Sequence, residues 1–84
     1  MTRSAKVRRL LMEGPATRHE MKLQLHWDRF QTERVITQLW RHGHIKNAGR
    51  VDASDDNRFT FAVLYELTPQ GRAWARQYPN GLPR

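Results

Sequence analysis

The chain has no cysteine. That excludes a disulfide scaffold and every thiolate zinc finger. No apolar run approaches the ~18 residues needed to cross a bilayer. The opening Met1-Thr2-Arg3-Ser4 is basic and lacks the apolar stretch of a signal peptide, so the expectation is a cytoplasmic protein of a bacterial cell with no membrane partner. Catalytic signatures are missing too. There is no glycine-rich phosphate loop, no nucleophile elbow, no His-Glu-x-x-His, and no carboxylate pair spaced to line a cleft. The histidines His19, His26, His42 and His44 include no i, i+4 pair on one helix. The reading is no enzyme, no cofactor and no metal. With 84 residues there is room for one domain, and 38% apolar composition suffices for one small core. A chain this short buries only roughly 60% of its unfolded surface, so its stability is expected to be marginal.

Acidic residues are scarce: 8 Asp and Glu stand against 15 Lys and Arg, for a net charge of +7. The imbalance is confined. Up to Val51, eleven basic residues face four acidic ones, and beyond it the two signs cancel. A cationic half on a small domain fits a polyanion such as nucleic acid, although a merely well-solvated surface has the same composition.

Periodicity divides the chain into elements. Ser4 can cap a first helix running to about Glu13, with Val7, Leu10 and Leu11 as its buried stripe and Lys6, Arg8 and Arg9 mostly outside it. Gly14-Pro15-Ala16 turns the chain. Thr17-Arg18-His19-Glu20 reads as a capping box opening a short helix from Arg18 to Leu25, with Met21 and Leu25 inward. After the turn at His26-Trp27, Asp28 can cap a helix running to about His42. Thr32, Val35, Ile36 and Leu39 form its inner stripe, and Gly43 ends it. The period then drops to two. A strand from His44 to Val51 and another from Arg58 to Leu67 flank a polar turn, and Phe59, Phe61, Val63, Tyr65 and Leu67 share the core face. Thr68-Pro69 opens a last short helix from which Ala73 and Trp74 pack inward. The expected fold is α+β: three helices, a two-stranded antiparallel wing, and a short C-terminal helix. Residues 1–78 make the domain and 79–84 a flexible tail. Helices joined by a short turn, the second longer and polar outside, make a helix-turn-helix.

Residues 17 to 45 carry Thr17-x-x-Glu20-Met21, Leu25, Trp27, Asp28-Arg29, Val35-Ile36, Leu39 and Arg41-x-Gly43-x-Ile45 without a gap. Tyr65-x-Leu67-Thr68-x-x-Gly71-Arg72 follows the hairpin. Through these segments the sequence resembles winged helix-turn-helix DNA-binding domains of MarR-like and small bacterial or phage regulators. It departs from that pattern at Lys22, where a small residue is usual, at His26, where glycine is frequent, and at Thr32, where an aliphatic is frequent. MarR proteins are longer, and the dimerisation and ligand-binding helices they add have no counterpart here, so no ligand response is implied.

The resemblance implies sequence-specific binding of double-stranded DNA, with the helix at about 28–42 in the major groove and a role in transcription regulation, the protein being nucleoid-associated when bound. In such a motif the longer helix enters by its N-terminal end. Arg29 or Arg34 can pair with guanine, Gln31 with adenine, and Phe30 with a thymine methyl, while Glu33 can accept from cytosine or pair with an arginine. Thr37 lies on the same side. Thr17, Arg18 and the first amides of the shorter helix can hold a phosphate. Arg41, Lys46, Arg50 and Arg58 are further phosphate candidates. The bland reading stands beside this one: Phe30 as a core or interface aromatic, Glu33 and Arg34 as a solvated face, and Trp27 as core. Trp40 lies off the stripe, to pack under the wing or to form an association surface. The hairpin tip is acidic, with Asp52, Asp55 and Asp56. Either the stem contacts DNA with the tip turned away, or the wing and Trp40 serve a protein partner. A calcium ion on Asp52, Ser54, Asp56 and Asn57 would lack the glycine and final glutamate of an EF-hand. No long helix is left over for a dimer interface, so a monomer or a weak homodimer is expected.

Overall fold

The computed structural model describes residues 1–52 and 61–81. Its elements run α1 (Arg3–Met12), β1 (Ala16–Thr17), α2 (Arg18–Leu25), α3 (Arg29–Arg41), β2 (Ile45–Asp52), β3 (Phe61–Leu67) and α4 (Pro69–Gln77). The expected two-stranded wing is part of a three-stranded antiparallel sheet of order β1-β3-β2. The extra strand arises where only a turn and a cap were expected. An N-cap residue has extended backbone angles, here φ −86° and ψ 164° at Thr17, so it is already shaped to pair with a strand. Ala16 lies opposite Tyr65 and Thr17 opposite Leu64.

Thr2, not Ser4, caps α1, its hydroxyl accepting from the Ala5 amide at 3.1 Å. Val7 and Leu11 are buried as the spacing predicts, and Leu10 packs against them. Arg8 departs from expectation: it is 5% exposed. It stands three residues from both Ala5 and Leu11, both buried, so it belongs to a second inward row. Its Nε donates to Nδ1 of His44 at 3.2 Å, and its guanidinium lies 5.9 Å from the Trp74 ring, within cation–π range.

The capping box of α2 is formed in both directions. The Thr17 hydroxyl accepts from the Glu20 amide, and the Glu20 carboxylate accepts from the Thr17 amide, both at 3.2 Å. His26 ends α2 at φ 56°, a left-handed conformation that costs a side-chain-bearing residue and that glycine adopts freely. Asp28 caps α3 through a 2.8 Å bond from the Gln31 amide. Thr32, Val35, Ile36 and Leu39 face the core. Thr32 is tolerated at full burial because its hydroxyl donates to the Asp28 carbonyl at 2.8 Å. Gly43 follows the helix at φ +70°, the left-handed turn that ends it.

β2 and β3 pair from Ile45 opposite Leu67 to Asp52 opposite Phe61, with a register shift between Asn47 and Gly49. Ile45 and Leu67 are buried and Tyr65 packs on the core. Phe59 and the side chain of Phe61 lie outside the described residues. Thr68 caps α4, accepting from the Gly71 amide at 3.0 Å, and its hydroxyl also donates to the Gly43 carbonyl at 2.6 Å. One hydroxyl thus ties the end of α3 to the start of α4. Ala73 is exposed, contrary to expectation. Gly71 and Trp74 make the inward contacts of α4 instead, Trp74 stacking near His44 and Tyr78 at centroid distances of 5.2 and 4.6 Å. Within the segment expected to be a tail, the Asn80 carbonyl accepts from the Thr2 amide at 3.1 Å.

Candidate nucleic-acid interface

A helix turns 100° per residue. With Thr32, Val35, Ile36 and Leu39 buried, the positions farthest from the core on α3 are Phe30, Arg34, Thr37 and Arg41. All are exposed, Phe30 to 81%. Gln31 and Gln38 flank them on one side and Arg29 and Glu33 on the other. All of these except Arg29 line, with Asp28, an open concavity of about 660 Å³. Arg3, from the start of α1, forms part of the same wall. Sequence reading assigned Arg3 nothing, because no spacing rule links residue 3 to residue 38. The approach is made by packing of α1 on α3.

Of the other residues expected here, Arg18 joins this surface through Glu33. The Glu33 carboxylate takes a hydrogen bond from Arg18 of α2 and a 3.4 Å bond from Arg29 Nε one turn earlier on α3. These bonds, that from Arg29 first, hold its carboxyl below the usual carboxylate range. Of the readings open for Glu33, pairing with arginine is the one observed. Arg18 and Arg29 line a second depression with His19 and Lys22, on the outer side of α2. His19 and Lys22 had no assigned role. Helical spacing was the available signal, since 18, 19 and 22 fall on one flank of α2.

Thr17 is placed differently. It is 5% exposed and its hydroxyl is committed to the capping box, so its observed work is structural. Lys46 is exposed and pairs across the strands with Glu66 at 3.4 Å. Arg50 is exposed on β2, and Arg41 lies where the α3 concavity meets a groove toward the wing. Arg58 lies outside the described residues, as do Ser54, Asp55, Asp56 and Asn57. The wing-borne protein-docking alternative and the calcium alternative therefore rest largely on undescribed positions. Trp40 is 53% exposed, edge-on to Tyr65 at 6.5 Å, in that groove with Ile36, Asn47 and Val63. Trp27 packs against the core. Among the described residues, no helix is long and apolar enough to cross a membrane.

No family model matches the chain, and no curated protein matches it. Solved structures of ZitR from Lactococcus lactis are similar in fold. A cysteine-and-histidine double mutant in apo form superposes with a TM-score of 0.70 at 21% identity, over 92% of this chain and 54% of that one. A cysteine-to-serine mutant gives 0.70 at 20% identity, over 93% and 49%. The chain thus spans about half the length of these ZitR chains. With four helices among the described residues, an antiparallel sheet and a hairpin following α3, the molecule has the α+β winged-helix fold.

Proposed function

We propose that this chain binds double-stranded DNA sequence-specifically, as a small transcriptional regulator of bacterial or phage type, with α3 seated in the major groove. The observation that carries the reading is the uncovered outer face of α3. It presents Phe30, Arg34, Thr37 and Arg41 on a helix capped at its start by Asp28 and closed at its end by Gly43. An α-helix fits the major groove, and these side chains match base edges: Arg34 for guanine, Gln31 for adenine, Phe30 for a thymine methyl. Arg3, Arg18 and Arg41 lie on or beside that face, Arg50 is exposed on β2, and these serve phosphates. The confinement of the +7 charge to the first 51 residues supports the same orientation, because the cationic elements are those that carry α2 and α3.

The test is selection of bound duplexes from a random pool, read at two ionic strengths. A consensus should emerge. Affinity should fall with salt at roughly 0.9 logarithmic units per phosphate neutralised. Changing Gln31 and Arg34 to alanine should erase preference among sequences more than it weakens non-specific binding. Equal binding to every duplex by both proteins would reject the reading.

A further inference from the structure

The depression between α2 and α3 gathers Arg18, His19, Lys22 and Arg29, and a single carboxylate, that of Glu33, is bonded to both arginines. Glu20, the acid of α2, is turned to the Thr17 amide in the capping box. Glu33 therefore stands as the counter-charge of this cluster. It is ionised at any neutral pH, since its two arginines favour the charged form.

We propose that Glu33 is a specificity-determining residue: by holding the guanidinium groups of Arg18 and Arg29, it lowers attachment to arbitrary duplex and keeps both groups in one orientation across the α2–α3 junction. The inference rests on the DNA-binding reading above. Phosphates attract cations wherever they lie, so Arg18, Lys22 and Arg29, if unopposed beside the recognition helix, strengthen binding to any sequence. A tethered arginine is different. To take a phosphate it must leave the carboxylate or share it, and sharing succeeds only where the duplex sits in the register for which the pair is already oriented. Exposed ion pairs add little to stability, which fits a role outside folding.

The test is Glu33→Gln, which keeps an acceptor oxygen and removes the charge. Binding is measured by fluorescence anisotropy on the selected duplex and on an unrelated duplex, across a salt series. At about 0.15 M salt each additional phosphate contact multiplies affinity by about fivefold, and the salt slope steepens by about 0.9. E33Q should therefore bind the unrelated duplex roughly five- to thirtyfold tighter with a steeper slope. Its affinity for the selected duplex should rise less or fall, so the ratio narrows. In a background carrying R18A and R29A the same change should give no such rise. An unchanged ratio, or a rise that persists without the arginines, overturns the inference while leaving DNA binding intact. Absence of salt-dependent binding by the unaltered protein overturns the functional reading and this inference with it. A thermal midpoint for E33Q close to that of the unaltered protein confirms that the comparison is between folded molecules.

Discussion

Replacing Gly71 with alanine should destabilise the domain, although a glycine inside a helix ordinarily invites the opposite expectation. Helix propensity alone favours alanine by about 1 kcal/mol. At this position an added Cβ would meet the backbone of His44, 2.1 Å from its carbonyl oxygen, 2.9 Å from the carbonyl carbon and 3.0 Å from Cα. Ordinary contact needs more than 3.4 Å to the oxygen, so α4 or the residues before β2 must move by roughly 1 Å. Neither is slack. The same His44 oxygen accepts the Thr68 amide at 3.0 Å, and Thr68 is also bonded to the Gly43 carbonyl. Overpacking costs about 1–3 kcal/mol and a weakened backbone hydrogen bond about 0.5–1.5 kcal/mol. Against the propensity gain, the net loss is about 1–3 kcal/mol. For a domain this small that lowers the midpoint by roughly 5–20 °C. Thermal unfolding followed by circular dichroism reads it directly. Ala73→Gly on the exposed side of the same helix isolates the propensity effect and should cost about 1 kcal/mol. A midpoint for G71A equal to or above that of the unaltered protein would show that α4 does not dock as closely on His44 as this geometry requires.

His26→Gly should raise stability by about 0.5–1 kcal/mol, the left-handed strain of roughly 1–2 kcal/mol relieved being partly offset by the flexibility of glycine, and chemical denaturation checks it. Thr68→Ala removes both the cap of α4 and the link to Gly43 and should cost about 1–2 kcal/mol, while Thr68→Ser restores most of it. Stability should also decline in acid through His44. It is 4% exposed, and burial first, then the charges of Arg8 and His42, lower its pKa. Protonation would also cost Nδ1 its bond from Arg8. The unfolded chain takes up the proton near the ordinary pKa of about 6.5 and the folded one only at lower pH. The contribution is thus complete above that value and is lost as pH falls toward the folded pKa. Urea midpoints should drop between about pH 7.5 and pH 5, and His44→Gln should flatten the dependence. Phe30→Ala should leave the thermal midpoint nearly unchanged, because the ring is already exposed, yet weaken binding to the selected duplex; a large loss of stability would mark Phe30 as structural.

The elements were legible where a local signal existed. The capping box at Thr17 and Glu20, the Asp28 cap, the stripe Thr32, Val35, Ile36 and Leu39, and the Thr68-Pro69 start all have short-range causes, and each sits where spacing placed it. What was not legible depends on contacts between distant residues. β1 exists because β3 offers an edge to residues already extended for another reason. Arg8 is inside because His44 and Trp74 arrive from the far half of the chain to receive it, which no window around Arg8 contains. Ala73 and Trp74 were both read as inward, although adjacent residues on a helix point 100° apart; Gly71, the residue that touches β2's approach, has no side chain to betray its burial. At the site the same division holds. The outer face of α3 follows from its inner stripe, whereas Arg3 beside it and the Arg18–Glu33 link follow only from how α1 and α2 lie against α3.

These observations make stability and recognition separable in α3. Its inner face is covered by α1, α2 and the sheet, and both of its ends are closed by side chains whose partners belong to the backbone. The helix is thus held without help from its outer residues. That matters in a domain whose core is small, because ordering a loose helix on binding would subtract directly from affinity. A helix already fixed lets Gln31, Arg34 and Thr37 be exchanged for other polar residues with little effect on the fold. Glu33 is the exception on that face, since it reaches across to α2. Its position joins α3 to Arg18 of α2, so under the proposed DNA-binding reading a change there alters how charge is shared between the two helices, while changes at Arg34 or Gln31 alter which bases are preferred.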